Sequence, residues 1–292
     1  MHRIGIRVDG NRYIGMGHIF QQIQLAEYLK GKMGLEICFL AREQEIIRAL
    51  AKKFYSFHWS FLPENVRPAE SLELFESFAH KHSLDIAIYD ITDPYSELKE
   101  NPEFFASIES MKKKGVATLA FEFMNTEKLN TDVVINGSIV EDWHKYHMSE
   151  GTEYHLGPDY VILNPVYERL HSKKKRIRDK VSEIFVCMGG SDPSNITKEV
   201  MRILTELRLE FKITVVLGPA YNKHDVIELS TLPLTEKATI LKASRRIWKH
   251  IFECDIAIAS AGRMPYELCA AGIPSLLIPI VEHQRHTAEA HI

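Results

Sequence analysis

Arg7-Val8-Asp9-Gly10-Asn11-Arg12-Tyr13-Ile14-Gly15-Met16-Gly17-His18 is the stretch whose reading decides the fold. Just upstream, Ile4-Gly5-Ile6-Arg7-Val8 carries apolar residues at alternate positions and predicts a short strand. Downstream, Ile19, Ile23, Ala26 and Leu29 recur at helical spacing. The stretch therefore joins the carboxyl end of a first strand to the amino end of a first helix. In open α/β sheets that junction borders the crevice where ligands bind. Gly15 and Gly17 permit a sharp turn and a close backbone approach to a ligand, and amides at the helix start favour an anion such as phosphate. His18 stands at that start, with an imidazole able to move a proton near neutral pH. The competing reading is a glycine-rich turn beside a surface histidine, because short glycine patterns recur by chance.

The 292 residues exceed a typical single domain, so two domains are expected. A formal net charge of −3 gives no basic bias toward nucleic acid and no acidic tail. Cys38, Cys187, Cys254 and Cys269 lie far apart, each in an apolar run, and lack metal-ligand spacing. They read as small buried hydrophobes of a reduced compartment. The amino terminus opens into a strand without the regions of a signal peptide. The apolar run from Ile273 to Val281 is too short to span a bilayer. The expectation is a cytoplasmic protein without an integral membrane segment.

Along the first half, strands are expected at 35–41, 57–61, 85–90, 116–121 and 132–136, with helices at 43–54, within 69–82 and around 104–113. Such alternation implies a parallel sheet covered on both faces. Asp90 ends its strand and points toward the same rim as His18, where a carboxylate can orient the histidine or a sugar hydroxyl. Asp90 and Asp93 ahead of Pro94 also read as turn formers. Glu122 is a weaker candidate of the same kind. Between Gly157 and Asp179 the pattern breaks, and the basic run from Lys173 to Lys180 reads as a solvated linker. The boundary falls here, giving domains 1–170 and 181–292.

The second half repeats the logic of the first. Strand 183–188 ends in Gly189-Gly190-Ser191-Asp192-Pro193, with a helix starting near Asn195, and further strands are expected at 212–217, 238–241, 255–259 and 275–279. The richest segment runs from Ser260-Ala261-Gly262-Arg263-Met264-Pro265 through Glu267 to Gly272-Ile273-Pro274. Pro265 suits the first turn of a helix that Gly272 ends. Amides at Gly262 and Arg263 are placed to hold a phosphate, and Glu267 to accept hydrogen bonds from two ribose hydroxyls. Glu267 would equally complement the helix dipole, and Arg263 reads either as a phosphate partner or as a solvated residue. The segment 282–287 lies just past the last strand and can face the same cleft.

On Arg7-Val8-Asp9, Gly15-Met16-Gly17-His18, Leu25-Ala26, Gly157-Pro158-Asp159-Tyr160 with Leu163, Gly189-Gly190-Ser191-Asp192-Pro193 with Asn195, Ser260-Ala261-Gly262, Glu267-Leu268, Gly272-Ile273-Pro274-Ser275 and Gln284, the chain resembles the UDP-sugar hydrolases of pseudaminic acid biosynthesis and the related spore-coat polysaccharide proteins. That group is similar to the lipid II-forming N-acetylglucosaminyltransferase. The motifs are spread over nearly the whole chain in the family's order. The resemblance implies an α/β fold of two Rossmann-like domains facing across a cleft (GT-B-like), the first catalytic and the second holding the nucleotide. It also implies that His18 activates water for attack while UDP departs. His18 and Asp90 are the catalytic candidates. Asp9, Gly15, Gly17, Gly189, Gly190, Ser191, Asp192, Ser260, Gly262, Arg263, Glu267 and Gln284 are the substrate-binding ones. The partner is a UDP-sugar; no metal and no cofactor are expected, and the oligomeric state is left open.

The chain departs from the family at three places. Gln21 stands where an arginine usually follows the histidine, Thr92 replaces an aromatic, and Gly262-Arg263-Met264 replaces Gly-Ser-Thr. Relatives often continue one or two helices beyond the last motif, which leaves open whether the second domain is truncated. Three functions follow: hydrolysis of a UDP-linked amino or deoxy sugar in nonulosonic acid or surface polysaccharide synthesis, glycosyl transfer on the same architecture, or non-catalytic binding of a sugar nucleotide. Fold alone does not choose among them.

Overall fold

The structure is a computed structural model that describes residues 2–11, 15–91, 102–122, 129–173, 175, 177–207, 210–232, 238–244 and 246–292. Arg12, Tyr13 and Ile14 of the first loop, the Asp93–Pro94 turn, Thr92, Lys174 and Arg176 lie outside the described residues. The chain divides into two compact units, Met1–Ile14 with His18–Ile162, and Gly15–Gly17 with Leu163–Ile292.

In the first unit the elements follow in the order β1 (Arg3–Val8), α1 (Gly17–Met33), β2 (Glu36–Arg42), α2 (Glu45–Lys53), β3 (His58–Leu62), α3 (Pro68–His82), β4 (Ile86–Asp90), α4 (Pro102–Lys113), β5 (Ala117–Phe121), β6 (Val133–Asn136) and β7 (Glu153–Leu156). The seven strands form one sheet in the order β3-β2-β1-β4-β5-β6-β7, and every pairing is parallel. Alternation decides which residues go where, since successive side chains of a strand leave opposite faces. Cys38, Leu40, Ala87, Tyr89, Ala120 and Val134 share a core with Leu72, Phe75, Phe78 and Ala79 of α3 and Ile108 and Met111 of α4. Phe75 is fully buried there, and truncating such a ring to alanine costs about 3–5 kcal/mol. Strand β7 departs from the sequence reading. Glu153-Tyr154-His155-Leu156 is an edge segment of four residues, whose alternation of Tyr154 and Leu156 against the core is too short to announce it.

The second unit carries α5 (Val166–His171), β8 (Glu183–Cys187), α6 (Ile196–Glu206), β9 (Lys212–Leu217), α7 (Lys223–Ser230), β10 (Ala238–Lys242), α8 (Ile247–Glu253), β11 (Ile256–Ser260), α9 (Met264–Ala270), β12 (Ser275–Ile278) and α10 (Gln284–Ala290). Its five strands are also all parallel, in the order β10-β9-β8-β11-β12. The two faces separate by parity. Phe185, Cys187, Val216, Ala257 and Ala259 pack with Ile251, Met264 and Leu268, whereas Ile184, Val186, Ile213, Val215, Leu217 and Ile258 pack with Val200, Met201 and Leu204. A capping box starts α7, with Asn222 and Asp225 each accepting the other's backbone N–H at 2.9 Å.

Two further expectations change. Cys269 is exposed on α9, turned away from the face that buries Leu268, while the other three cysteines are buried. The basic run is mostly exposed, but it is tied down within its own unit: Lys175 Nζ donates to the Cys254 carbonyl at 2.6 Å, and Arg178 meets Asp255 at 2.8 Å. Among the described residues no helix is long and apolar enough to cross a membrane.

Candidate active site

The strand order of the first sheet reverses at the neighbours β1 and β4, which pair Val8 with Asp90 at their carboxyl ends. A switch point of this kind is where open α/β sheets take ligands. Gly15 is in the left-handed region at φ 82°, a conformation that favours glycine, and α1 begins two residues later. His18, in the first turn of α1, places Nδ1 2.8 Å from Oδ1 of Asp90. Gln22, one helical turn on, donates from Nε2 to the other oxygen, Oδ2, at 2.8 Å. Asp90 is 1% exposed and the His18 side chain 23%, so a buried carboxylate supports a ring that reaches solvent. Since an ionised carboxylate only accepts, the proton belongs on Nδ1, which leaves the lone pair on Nε2.

Glu122 adds a second carboxylate, 3.9 Å from the same Nδ1. Its backbone is left-handed at φ 50°, immediately after β5. Non-glycine residues adopt that region at a cost and cluster at functional sites. Gln21 is buried, and neither polar atom of its amide has a hydrogen-bond partner among the described residues.

Asp9 directly follows β1. Arg7 and Asp9 leave the same face of the chain two residues apart, and the guanidinium meets both carboxylate oxygens at 2.7 Å. The Arg42 backbone amide adds a third bond at 2.8 Å. Burial alone would raise the Asp9 carboxyl, but Arg7 and Arg42 outweigh it and hold it below the usual carboxylate range. Both oxygens are thus engaged inside the first unit, and Asp9 fixes the end of β1.

In the second unit the corresponding reversal lies at β8 and β11. Gly189 follows β8 at φ 83°, and the Ser260 hydroxyl at the end of β11 lies 3.2 Å from where a side chain at Gly189 would begin. Gly190 and the buried Ser191 continue that loop. Asp192 accepts the Ile196 amide through Oδ1 at 2.9 Å and the Thr197 amide through Oδ2 at 2.6 Å. It caps α6, satisfying two donors that have no intrahelical partner. Gln284 starts α10, accepts the Ile280 amide at 3.0 Å, and rests its Nε2 3.3 Å from where a side chain at Gly262 would begin. Arg263 immediately precedes α9.

Glu267, in the first turn of α9, accepts a hydrogen bond from the Tyr167 hydroxyl through Oε2 at 2.8 Å. Burial raises its carboxyl above the ordinary value, against the opposing pull of Tyr167 and Arg263. Gln22 and Tyr167 are the contributors that the sequence did not single out. Gln22 had a signal in its i, i+4 spacing from His18, whereas Tyr167 lies 100 residues from its partner. Among the described residues no group of three or more His, Cys, Asp or Glu is arranged to hold a metal ion.

No protein-family model matches the chain. An uncharacterised protein of Methanocaldococcus jannaschii is 25% identical over 99% of the chain, which spans 58% of that protein's length. The spore coat polysaccharide biosynthesis protein SpsG of Bacillus subtilis is 26% identical over 99% of this chain and 80% of its own. The UDP-N-acetylglucosamine–N-acetylmuramyl-(pentapeptide) pyrophosphoryl-undecaprenol N-acetylglucosamine transferase of Chromobacterium violaceum is 50% identical, over 46% of this chain and 41% of its own. Among solved structures, MurG of Acinetobacter baumannii superposes with a TM-score of 0.61 at 15% identity, covering 99% of this chain and 83% of its own. The calicheamicin glycosyltransferase CalG4 gives 0.61 at 11% identity over the same shares. These likenesses show a GT-B fold of two Rossmann-like domains. The relatives named here include glycosyltransferases and a polysaccharide biosynthesis protein, and the hydrolytic and pseudaminic acid expectations find no support among them.

Proposed function

We propose that the protein is a nucleotide-sugar-dependent glycosyltransferase of GT-B type, acting in surface polysaccharide synthesis on a UDP-sugar. The second unit holds the nucleotide: its two glycine loops approach the diphosphate and Glu267 takes the ribose. The first unit supplies the general base. His18 Nε2 removes the proton from an acceptor hydroxyl as that oxygen attacks the anomeric carbon and UDP leaves. Asp90 then stabilises the imidazolium that forms.

The observation that carries this reading is the chain Gln22–Asp90–His18 at a switch point, with both oxygens of a buried carboxylate engaged and the imidazole partly exposed. A neutral imidazole alone would be a weak base for a sugar hydroxyl; a buried carboxylate on Nδ1 strengthens it. The names of the spore coat relative and of the lipid-linked N-acetylglucosamine transferase support the same class of chemistry. The test is UDP release from a panel of UDP-sugars, with and without polysaccharide-type acceptors, on wild type and His18→Ala. Release that requires an acceptor and disappears in the variant is expected. Steady acceptor-independent release that also needs His18 would return the reading to hydrolysis, and release unaffected by His18→Ala would remove the base.

A further inference from the structure

Helix α5 is only six residues long, yet it is firmly placed. Asn164 Oδ1 accepts the Val166 amide at 3.0 Å just before it. Val166, Tyr167 and Leu170 join the apolar cluster formed by Ile251 of α8 and Met264 and Leu268 of α9. Tyr167 is 3% exposed, so its ring is locked by packing on all sides. A buried phenol needs a hydrogen-bond partner, and the partner here is Oε2 of Glu267. The other carboxylate oxygen, Oε1, has no protein hydrogen bond among the described residues.

We infer that Tyr167 is a positioning residue for Glu267, fixing its carboxylate so that the protein selects a ribonucleoside diphosphate over its 2′-deoxy counterpart. The inference rests on the proposed nucleotide-binding reading and adds a specificity determinant to it. Geometry makes the argument. A glutamate side chain has three rotatable bonds, and one hydrogen bond to a rigid ring holds its planar end in a single orientation. Tyr167 leaves Oε1, and the second lone pair of Oε2, for the vicinal hydroxyls of a ribose. Burial pushes the phenol's titration far above its usual range, and the adjoining carboxylate pushes it further, so the hydroxyl remains a donor at any working pH. It also opposes protonation of a carboxyl that burial has already raised. A neutral, freely rotating Glu267 would offer one acceptor of undefined direction, and the 2′-hydroxyl would lose its partner first.

The test is calorimetric binding of UDP and 2′-deoxy-UDP to wild type, Tyr167→Phe and Glu267→Gln, with thermal unfolding as the control for folding. Wild type is expected to favour UDP by about tenfold or more, the worth of one hydrogen bond to a charged group. Tyr167→Phe, which keeps the ring and its packing, is expected to weaken UDP by about fivefold while leaving 2′-deoxy-UDP within twofold. Its UDP affinity should also begin to fall at a higher pH on acidification than in wild type, because Glu267 has lost a donor. Equal weakening of both nucleotides would assign Tyr167 a merely structural role and overturn the inference, as would no change at all. Glu267→Gln separates the two layers. If it keeps the full preference for UDP, the ribose reading of Glu267 fails. If it loses the preference while Tyr167→Phe keeps it, only the positioning role fails.

Discussion

Replacing Asp90 by asparagine removes one charge from a buried chain of three side chains and leaves its shape unchanged. In the wild type, Oδ1 faces Nδ1 of His18 and Oδ2 accepts from Gln22, both at 2.8 Å. The new amide can satisfy both neighbours only with its carbonyl toward His18 and its NH2 toward Gln22. Gln22 can allow this by turning its own amide, because its Oε1 has no hydrogen-bond partner among the described residues. The productive tautomer therefore survives, and the loss comes from the charge alone. A hydrogen bond to an ionised group is worth about 1.5–3 kcal/mol, against about 0.5–1.5 for a neutral one. The imidazolium of the transition state loses that difference and the field of the carboxylate, so kcat/KM should fall by about 10- to 100-fold, less than for His18→Ala. The assay is initial-rate UDP release under the conditions that give transfer, with UDP affinity and unfolding temperature measured alongside. Adding Gln22→Glu to Asp90→Asn should recover part of the loss, because the new carboxylate accepts the asparagine NH2 and returns a negative charge one bond farther away. Asp90→Asn activity within threefold of wild type, with His18→Ala inactive, would refute the dyad.

Three other outcomes follow from the same structure. Asp9→Asn leaves the fully buried Arg7 without its counter-charge, so stability in urea should drop by about 3 kcal/mol; a loss under 1 kcal/mol would show the pair to be dispensable. The amides of Ser182 and Glu183 and the Arg178 guanidinium hold Asp255 at about 2 in spite of burial. That depressed value adds stability above about pH 4 that is lost as pH falls through 2, so Asp255→Asn should cost about 1–2 kcal/mol at pH 7 after solvent screening and only a small fraction of that at pH 2; a gap constant over that range would exclude the linkage. Gln21→Leu removes two buried polar atoms that have no hydrogen-bond partner among the described residues and should raise stability by about 1–2 kcal/mol, whereas a clear loss would mean that the amide is satisfied in solution.

The sheets were readable because their residues obey the period of two so strictly. Phe185 and Cys187 take one face, Ile184 and Val186 the other, and each strand ends in a turn signal. Strand β7 is hard to read because Glu-Tyr-His-Leu alternates over only four residues, with Tyr154 and Leu156 toward the core. His18 and Asp90 could be aligned on one rim from strand ends alone, but the partners of the Asp9 and Asp192 carboxylates could not be foreseen that way. A loop aspartate beside glycines looks available until its partners are known. For Asp9 the clue was Arg7, two residues back on the same face; for Asp192 it was the helix beginning four residues later. Gln22 is a helix residue of neutral chemistry, and only Asp90's second oxygen gives it meaning. No local pattern could have joined Tyr167 to Glu267, since their meeting depends on the packing of α5 against α9.

Because every strand pair in both sheets runs parallel, each chain reversal returns to the starting edge before a new strand begins. All carboxyl-end loops of a unit consequently gather on one side, while the hydrogen-bonded register is set elsewhere. Lengthening one of those loops costs little, since doubling a flexible loop adds only about 0.6 kcal/mol of closure entropy. No strand needs to slip to accommodate it. Such a scaffold can change the ligand it binds by insertions at the rim, with the packed layers beneath left untouched.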